Sequence, residues 1–136
     1  MKTARRYARE LAMQGIFQWQ FNRDVSILTI ENDLRDYKGF SRADSKFLLD
    51  LLRGVVQQEP LLLAKIIPHY DCSAKEVKPV ERTILLIGTY ELLYHADTPS
   101  RVILNEAIEI AKVFGGTDGH KFVNGVLDKL AVAIRG

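Results

Sequence analysis

Apolar residues recur along most of the chain every three or four positions, which is the spacing of an amphipathic helix. Over about residues 4–21 this spacing places six small or apolar side chains on one arc: Ala8, Leu11, Ala12, Gly15, Ile16 and Trp19. No segment shows the strict alternation of a strand between turn signals. The pattern therefore predicts an all-α fold of about seven helices joined by short loops.

Capping and proline signals predict where the next helices begin. A second helix is expected over 25–37. The S-x-x-D pattern from Ser41 to Asp44 favours Ser41 as the N-cap of a third helix. Pro60 suits the first turn of a short fourth helix, because proline is tolerated there but not in a helix interior.

The second half of the chain predicts one short turn and three further helices. Ser73 and Glu76 form a capping-box pattern that favours a single turn. Pro79 opens a segment that is apolar almost all round, so it is expected to be the central and most buried helix. Another helix follows from Ser100, and Asp118 is expected to cap the last one.

Positive charge is concentrated at the N-terminus. The first ten residues hold four cations and one anion, a net charge of +3, whereas the whole chain carries +2. Lys2, Arg5, Arg6 and Arg9 fall together on one helical arc that continues toward Phe17. Such a stripe predicts binding of single-stranded nucleic acid, since arginines grip phosphates and an exposed ring stacks on a base. The alternative is a solvated N-terminal face with Phe17 in the core.

A second candidate site lies where the last helix begins. Asp118, Gly119, Lys121 and Phe122 occupy its opening turn, where unpaired backbone N–H groups favour anions. Lys121 adds charge, Phe122 adds a ring, and Gly119 permits close approach of a ligand. The alternative is a plain helix–helix corner with Phe122 buried.

Composition narrows the function classes. A chain of 136 residues with ordinary proportions of apolar and charged residues predicts one domain over 1–136. The single cysteine allows no internal disulfide, and no membrane-length apolar run or secretory signal is present, which favours the cytoplasm. The sequence contains no phosphate loop, nucleophile elbow or CxxC pair, and no second pair completes the H-x-x-C spacing of His69 and Cys72. We therefore expect a binding protein that is not an enzyme and has no metal or cofactor.

Three segments carry a family resemblance that spans almost the whole chain. Residues 105–131 read NEAIEIAKVFGGTDGHKFVNGVLDKLA, which is very close to the NEAIELAKxFGxxDSHKFVNGVLDK motif of the NusB family of transcription antitermination factors. The opening RRYARELAMQGIFQW and the central VERTILLIGTYELLY resemble the same family.

The resemblance implies two small helical bundles packed at an angle and a role in transcription. NusB pairs with NusE, a ribosomal protein of the small subunit, and the pair binds the boxA element of nascent RNA. The pair helps to load a complex onto RNA polymerase that suppresses premature termination, notably in ribosomal RNA operons.

The resemblance also assigns residues by position. Arg5, Arg6 and Arg9 match the family's RNA-binding arginines, and Phe17 matches a ring position that is often tyrosine. The second RNA-contacting patch maps onto the start of the last helix, at Asp118, Gly119, Lys121 and Phe122. The NusE-facing surface is expected on the central helix, at Glu81, Arg82, Tyr90 and Glu91.

Two departures concern the RNA contacts. Tyr7 stands where some relatives have another basic residue, so the stripe is one charge weaker. Gly119 stands where serine is common, which removes a hydroxyl that could contact RNA.

The combined hypothesis is that RNA crosses both candidate sites, which would then have to be neighbours in the fold. Two rivals are weighed against it. The same helical domain occurs at the N-terminus of certain ribosomal RNA cytosine methyltransferases, although 136 residues hold no recognisable methyl-donor domain. The second rival is a protein-interaction or dimerisation module, in which a second copy of the chain covers the arginine stripe.

Overall fold

The computed structural model describes residues 1–136 and contains six α-helices and no strand, which confirms the all-α prediction. The helices are α1 (Ala4–Phe21), α2 (Ile27–Leu34), α3 (Ser45–Ile66), α4 (Pro79–Tyr94), α5 (Ser100–Phe114) and α6 (Gly119–Arg135). Short 3₁₀ turns lie at Phe40–Arg42, Ile67–His69 and Ala74–Glu76. None of the helices combines the length and the apolarity needed to cross a membrane.

The chain divides into two compact helical units, Met1–Gln57 and Gln58–Gly136, and the boundary falls inside α3. In the first unit, the predicted apolar arc of α1 is buried throughout. Gly15 on this arc allows close packing, because a Cβ there would lie only 2.9 Å from Cγ2 of Ile30 and 3.1 Å from Cδ1 of Leu34. The spacing of apolar residues in α1 therefore sets the core of this unit.

The helix count differs from the predicted seven because α3 replaces two expected helices. Ser41 lies in a 3₁₀ turn, and the cap of α3 is Asp44, whose Oδ1 accepts from the Phe47 amide at 3.0 Å. Pro60 lies inside α3 instead of opening a new helix. Leu62 and Ile66 beyond it are fully buried, so burial of apolar surface outweighs the hydrogen bond that proline cannot make.

The second unit is built around α4, as its all-round apolar pattern predicts. Every residue from Thr83 to Leu92 is buried, and α4, α5 and α6 all pack against one another. Gly88 permits close packing of α4 on α6, since a Cβ there would lie 3.0 Å from Cδ2 of Leu127. The predicted capping box is also present, because Ser73 and Glu76 exchange side-chain-to-backbone hydrogen bonds.

Arg135 supplies hydrogen-bond donors at the C-terminal end of α4. Its guanidinium donates to the carbonyl oxygens of Glu91, Leu92, His95 and Thr98 at 2.6–3.2 Å and to the Ser100 hydroxyl at 3.3 Å. The last carbonyls of a helix have no partner within the helix, and here one side chain supplies several donors to them. Arg135 thereby joins α6 to the end of α4 and the start of α5.

We expect the Arg135→Ala variant to lose about 3 kcal/mol of unfolding free energy, because it removes five hydrogen bonds and takes the side-chain donor from the carbonyls of Leu92 and Thr98, whereas those of Glu91 and His95 still accept from backbone amides. Arg135→Lys should recover part of this loss, since an ammonium reaches fewer acceptors. The control is Arg101→Ala, which removes an exposed cation from α5 and should change stability by less than about 0.5 kcal/mol. Urea unfolding of the three variants measures this, and equal effects at 135 and 101 would contradict the clamp.

Candidate nucleic-acid interface

The arginines of α1 are organised by the ring of Phe47. Cζ of Arg5 lies 4.3 Å from the ring centroid, and Cζ of Arg9 lies 5.0 Å from it. Phe47 occupies the first turn of α3, which the Asp44 cap fixes. The apolar spacing of this segment predicts Phe47 as a core residue, and nothing local to it indicates that two guanidinium groups stack on its ring.

Accessibility separates these arginines. Arg5 has 42% of its side chain exposed and lies 4.0 Å from a carboxylate oxygen of Asp44. Arg6 is half-buried, whereas Arg9 is only 4% exposed and Met13 beyond it is buried. The accessible part of the stripe therefore comprises Lys2, Arg5 and Arg6, and contact of Arg9 with RNA would require it to leave the Phe47 ring.

Tyr7 contacts both Lys2 and Arg42, and Arg42 is a cation that the sequence did not indicate as part of the stripe. Nζ of Lys2 is 2.9 Å from Oε1 of Glu10 and 5.1 Å from the Tyr7 ring centroid. On the same tyrosine, the hydroxyl accepts from Nη1 of Arg42 at 3.3 Å. The ring rests against Gly39, whose φ of +94° suits glycine. Tyr7 thus removes one charge from the stripe but holds Arg42 beside it.

Phe17 is half-buried and makes an edge contact with Phe21, with ring centroids 5.1 Å apart. Phe21 is 67% exposed, so it is the more accessible ring at this end of α1. A base that stacks here would meet Phe21 before Phe17. The role of Phe17 in RNA binding stays a prediction.

At the start of α6, Asp118 does not act as the expected cap. Its φ of +62° is left-handed, and its side chain makes no capping hydrogen bond. A side-chain cap normally needs an extended backbone at this position. Instead, Oδ1 of Asp118 lies 3.3 Å from Nζ of Lys121, and both side chains are well exposed. A pair this exposed contributes little stability, so a phosphate can compete for Lys121.

Phe122 belongs to a second ring pair. Its centroid lies 5.8 Å from that of Tyr70, with the rings tilted by 37°. Phe122 is half-buried and lines a cavity of about 170 Å³ together with Lys78, Thr117 and Asp118. It is therefore neither fully exposed nor sealed in the core. Tyr70 was missed because it lies between the 3₁₀ turns Ile67–His69 and Ala74–Glu76, where no periodicity relates it to α6.

Lys78 adds a cation to this patch. It is exposed, and a Cβ on Gly116 would lie 2.9 Å from its Nζ. Lys78 immediately precedes Pro79, which begins α4, whereas Gly116 lies between α5 and α6. The sequence analysis missed Lys78 because only the fold brings these segments together.

The four residues predicted to face NusE are largely enclosed. Glu81, Tyr90 and Glu91 are 4%, 6% and 1% exposed. Arg82 is half-buried and pairs with Glu59 at 3.0 Å. Arg82 is thus the most accessible of the four, and the assignment of this surface stays a prediction.

The chain contains no group of three or more His, Cys, Asp or Glu side chains that could hold a metal ion. Cys72 is a free, exposed thiol at the rim of the same cavity.

Comparisons with known proteins agree with one another. Residues 6–132 match the model of the NusB family. The transcription antitermination protein NusB of Chromobacterium violaceum is 52% identical over 100% of this chain and 91% of its own length. That of Aromatoleum aromaticum is 52% identical over 98% of this chain and 92% of its own. The solved T. maritima NusB structure has a TM-score of 0.83 at 34% identity, covering 97% of this chain and 93% of that one.

Tyr70 allows a test of the Phe122 environment. Burial raises the pKa of the Tyr70 phenol above its ordinary value of 10.0, although the Arg82 guanidinium opposes the shift. Because the folded chain holds this proton more tightly than the unfolded chain, its contribution to stability is complete below pH 10 and is lost as the pH rises through the raised pKa.

We expect the phenolate absorbance of Tyr70, isolated as wild type minus Tyr70→Phe, to appear above pH 10. The alkaline loss of unfolding free energy should be smaller in Tyr70→Phe than in the wild type. A Tyr70 titration at or below 10 would contradict the burial of this ring beside Phe122.

Proposed function

The chain belongs to the NusB family of transcription antitermination proteins, which are not enzymes, and from this premise we propose that it binds the boxA element of nascent RNA together with NusE. In this role the pair joins a cytoplasmic complex on RNA polymerase that suppresses premature termination, notably in ribosomal RNA operons. The supporting observation is that each helical unit displays accessible cations beside aromatic rings.

In the first unit, Lys2, Arg5 and Arg6 supply charge for phosphates, and Arg42 extends this surface beside Tyr7. Phe21 and the half-buried Phe17 supply ring surface at the other end of α1. Guanidinium forks suit phosphate oxygens, and each stacked base contributes about 1–3 kcal/mol. This surface suits single-stranded RNA better than duplex, because stacking needs unpaired bases.

In the second unit, Lys121 precedes Phe122 in the first turn of α6, Phe122 pairs with the Tyr70 ring, and Lys78 lines the same cavity as Phe122. The proposal requires one RNA to contact both units. Asp118 is exposed and negative, so its part is to pair with Lys121 or to accept a hydrogen bond from a base or ribose.

The limited charge of the chain supports a need for a partner in RNA binding. A net charge of +2 and few accessible cations favour weak RNA binding by the chain alone. NusE bound to the same RNA would raise affinity through effective concentration without new contacts on this chain. The proposed NusE-facing region is on α4, where Arg82 is the most accessible of the four assigned residues and Glu81, Tyr90 and Glu91 are largely enclosed.

We expect the Lys2→Ala, Arg5→Ala double variant to weaken boxA RNA binding and to flatten its salt dependence by about 0.7 in the log–log slope per lost phosphate contact. Fluorescence anisotropy of a labelled boxA RNA, with and without NusE over a salt series, measures both effects. The Lys65→Ala, Lys112→Ala double variant removes the same charge from exposed positions outside both surfaces and serves as the control.

Equal slopes for the two double variants would exclude the α1 stripe as the RNA site. Sizing of the free protein completes the test, because a homodimer that dissociates on RNA addition would mean that a second copy covers the stripe.

Lys78 provides an independent test of the second surface. Lys78→Gln should reduce the salt slope by about 0.7 and lower affinity for all RNA sequences alike, since a phosphate contact reads no base. Lys112→Gln is the matched control, because that lysine is exposed but pairs with Glu109 on α5. An unchanged slope in Lys78→Gln would remove Lys78 from the RNA surface.

A further inference from the structure

We infer that Glu81 is a positioning residue: its buried carboxylate holds the turn between α5 and α6, and so presents Asp118, Lys121 and Phe122 to RNA. This inference rests on the proposed function. It assigns Glu81 a different task from the partner contact expected from the sequence.

The turn is folded around the Glu81 carboxylate. The Gly116 amide donates to Oε1 of Glu81 at 3.2 Å, across 35 positions of sequence. A Cβ on Gly119 would lie 2.2 Å from the same oxygen and 3.1 Å from Cδ. Glu81 itself is only 4% exposed. The side chain thus lies against both ends of the 116–119 segment and lines the cavity beside Phe122.

This packing explains why glycine stands at position 119. A side chain there would meet Oε1 of Glu81, so the carboxylate would have to shift away from the turn and its hydrogen bond from the Gly116 amide would be disturbed. Position 119 is where serine is common in the family. In this chain the carboxylate of residue 81 occupies the room that a side chain at 119 would need.

The strained backbone of Asp118 depends on the same contact. Asp118 has a φ of +62°, which is uncommon for a non-glycine residue, although aspartate adopts it more readily than most. The turn's own backbone contributes one bond, from the Gly119 amide to the Gly116 carbonyl at 3.0 Å. The Glu81–Gly116 bond ties this turn to the buried helix α4. The amides of Lys121 and Phe122 then donate to the Asp118 carbonyl, so α6 starts in a fixed register from this residue.

The carboxylate of Glu81 could act on RNA binding by position or by charge, and these two roles predict opposite results. Oε2 of Glu81 is buried and has no hydrogen-bond partner. An unpaired buried acceptor is unfavourable, so the residue is not optimised for stability. Its negative charge also opposes phosphate binding nearby. A purely electrostatic effect therefore predicts that loss of this charge strengthens RNA binding, whereas a positioning role predicts that loss of the side chain weakens it.

The experiment compares Glu81→Ala, Glu81→Gln and the control Glu109→Ala, which removes an exposed carboxylate from α5. Amide hydrogen exchange at Gly116 and Gly119 reports on the turn, and anisotropy with labelled boxA RNA and NusE reports on binding. We expect at least tenfold faster exchange and about fivefold weaker RNA binding in Glu81→Ala. Glu81→Gln keeps an oxygen for the Gly116 amide and should restore both values to within about twofold of wild type.

Gly119→Ala provides a second route to the same state, because it displaces the carboxylate without removing it. It should also accelerate exchange at Gly116 and weaken RNA binding, with the helical content unchanged by circular dichroism. This variant keeps the inference testable if Glu81→Ala does not fold.

Three results would overturn the inference. One is unchanged exchange at Gly116 in Glu81→Ala. Another is tighter RNA binding in both Glu81 variants, which would show a charge effect alone. The third is equal loss of NusE binding in Glu81→Gln and Glu81→Ala with a normal turn, which would make Glu81 a partner contact. Failure of the wild type to bind RNA would instead overturn the proposed function, while the exchange rates would still decide what Glu81 does to the turn.

Discussion

A helix that is buried on almost every side cannot leave its polar groups to water, and this constraint on α4 organises the second unit. Unpaired polar groups in a protein interior are costly, so each polar side chain on α4 must find a partner or accept a penalty. Thr83 donates to the Pro79 carbonyl at 2.7 Å, and Arg82 pairs with Glu59. At the two ends of α4, Glu81 binds the Gly116 amide and Arg135 covers the last carbonyls. The hydrogen bonds of Glu81 and Arg135 therefore join α4 to the turn before α6 and to the last turn of α6.

The first unit solves a different problem, which is how to place arginines beside a core without burying uncompensated charge. Phe47 offers one ring to two guanidinium groups, and such contacts are favourable because the face of the ring is electron-rich. The arrangement divides the arginines of α1 by task. Arg9 is buried against the ring and contributes to packing, whereas Arg5 keeps part of its side chain exposed for an external anion.

The sequence predicted those features of the structure that depend on residues close together in the chain. The apolar arc of α1, the burial of α4 and the Ser73–Glu76 capping box all follow from residues close together in the chain. The prediction for Pro60 was wrong because buried residues on both sides of it keep α3 continuous. The prediction for Asp118 was wrong because its left-handed backbone prevents its side chain from capping α6. The two candidate RNA sites were predicted from the charge stripe and from the helix-start signals, and the family motifs added to both, but their geometry depends on the pairs Phe47–Arg5, Tyr70–Phe122 and Gly116–Glu81. No spacing rule connects residues that are 35 to 52 positions apart, so these pairs required the fold.

The charge arrangement has a consequence for the proposed binding of RNA together with a partner. Lys2, Arg5 and Lys121 each lie within 4.0 Å of a carboxylate oxygen, from Glu10, Asp44 and Asp118 respectively. An RNA phosphate must displace these carboxylates, so the net gain from each charge contact is smaller than for an unpaired cation. Non-specific binding to any polyanion depends almost wholly on such contacts and is weakened most. Stacking on Phe21 or Phe122 and the effective concentration supplied by NusE are not reduced in this way. The proposed complex therefore gains selectivity from the internal ion pairs that lower its affinity for RNA in general.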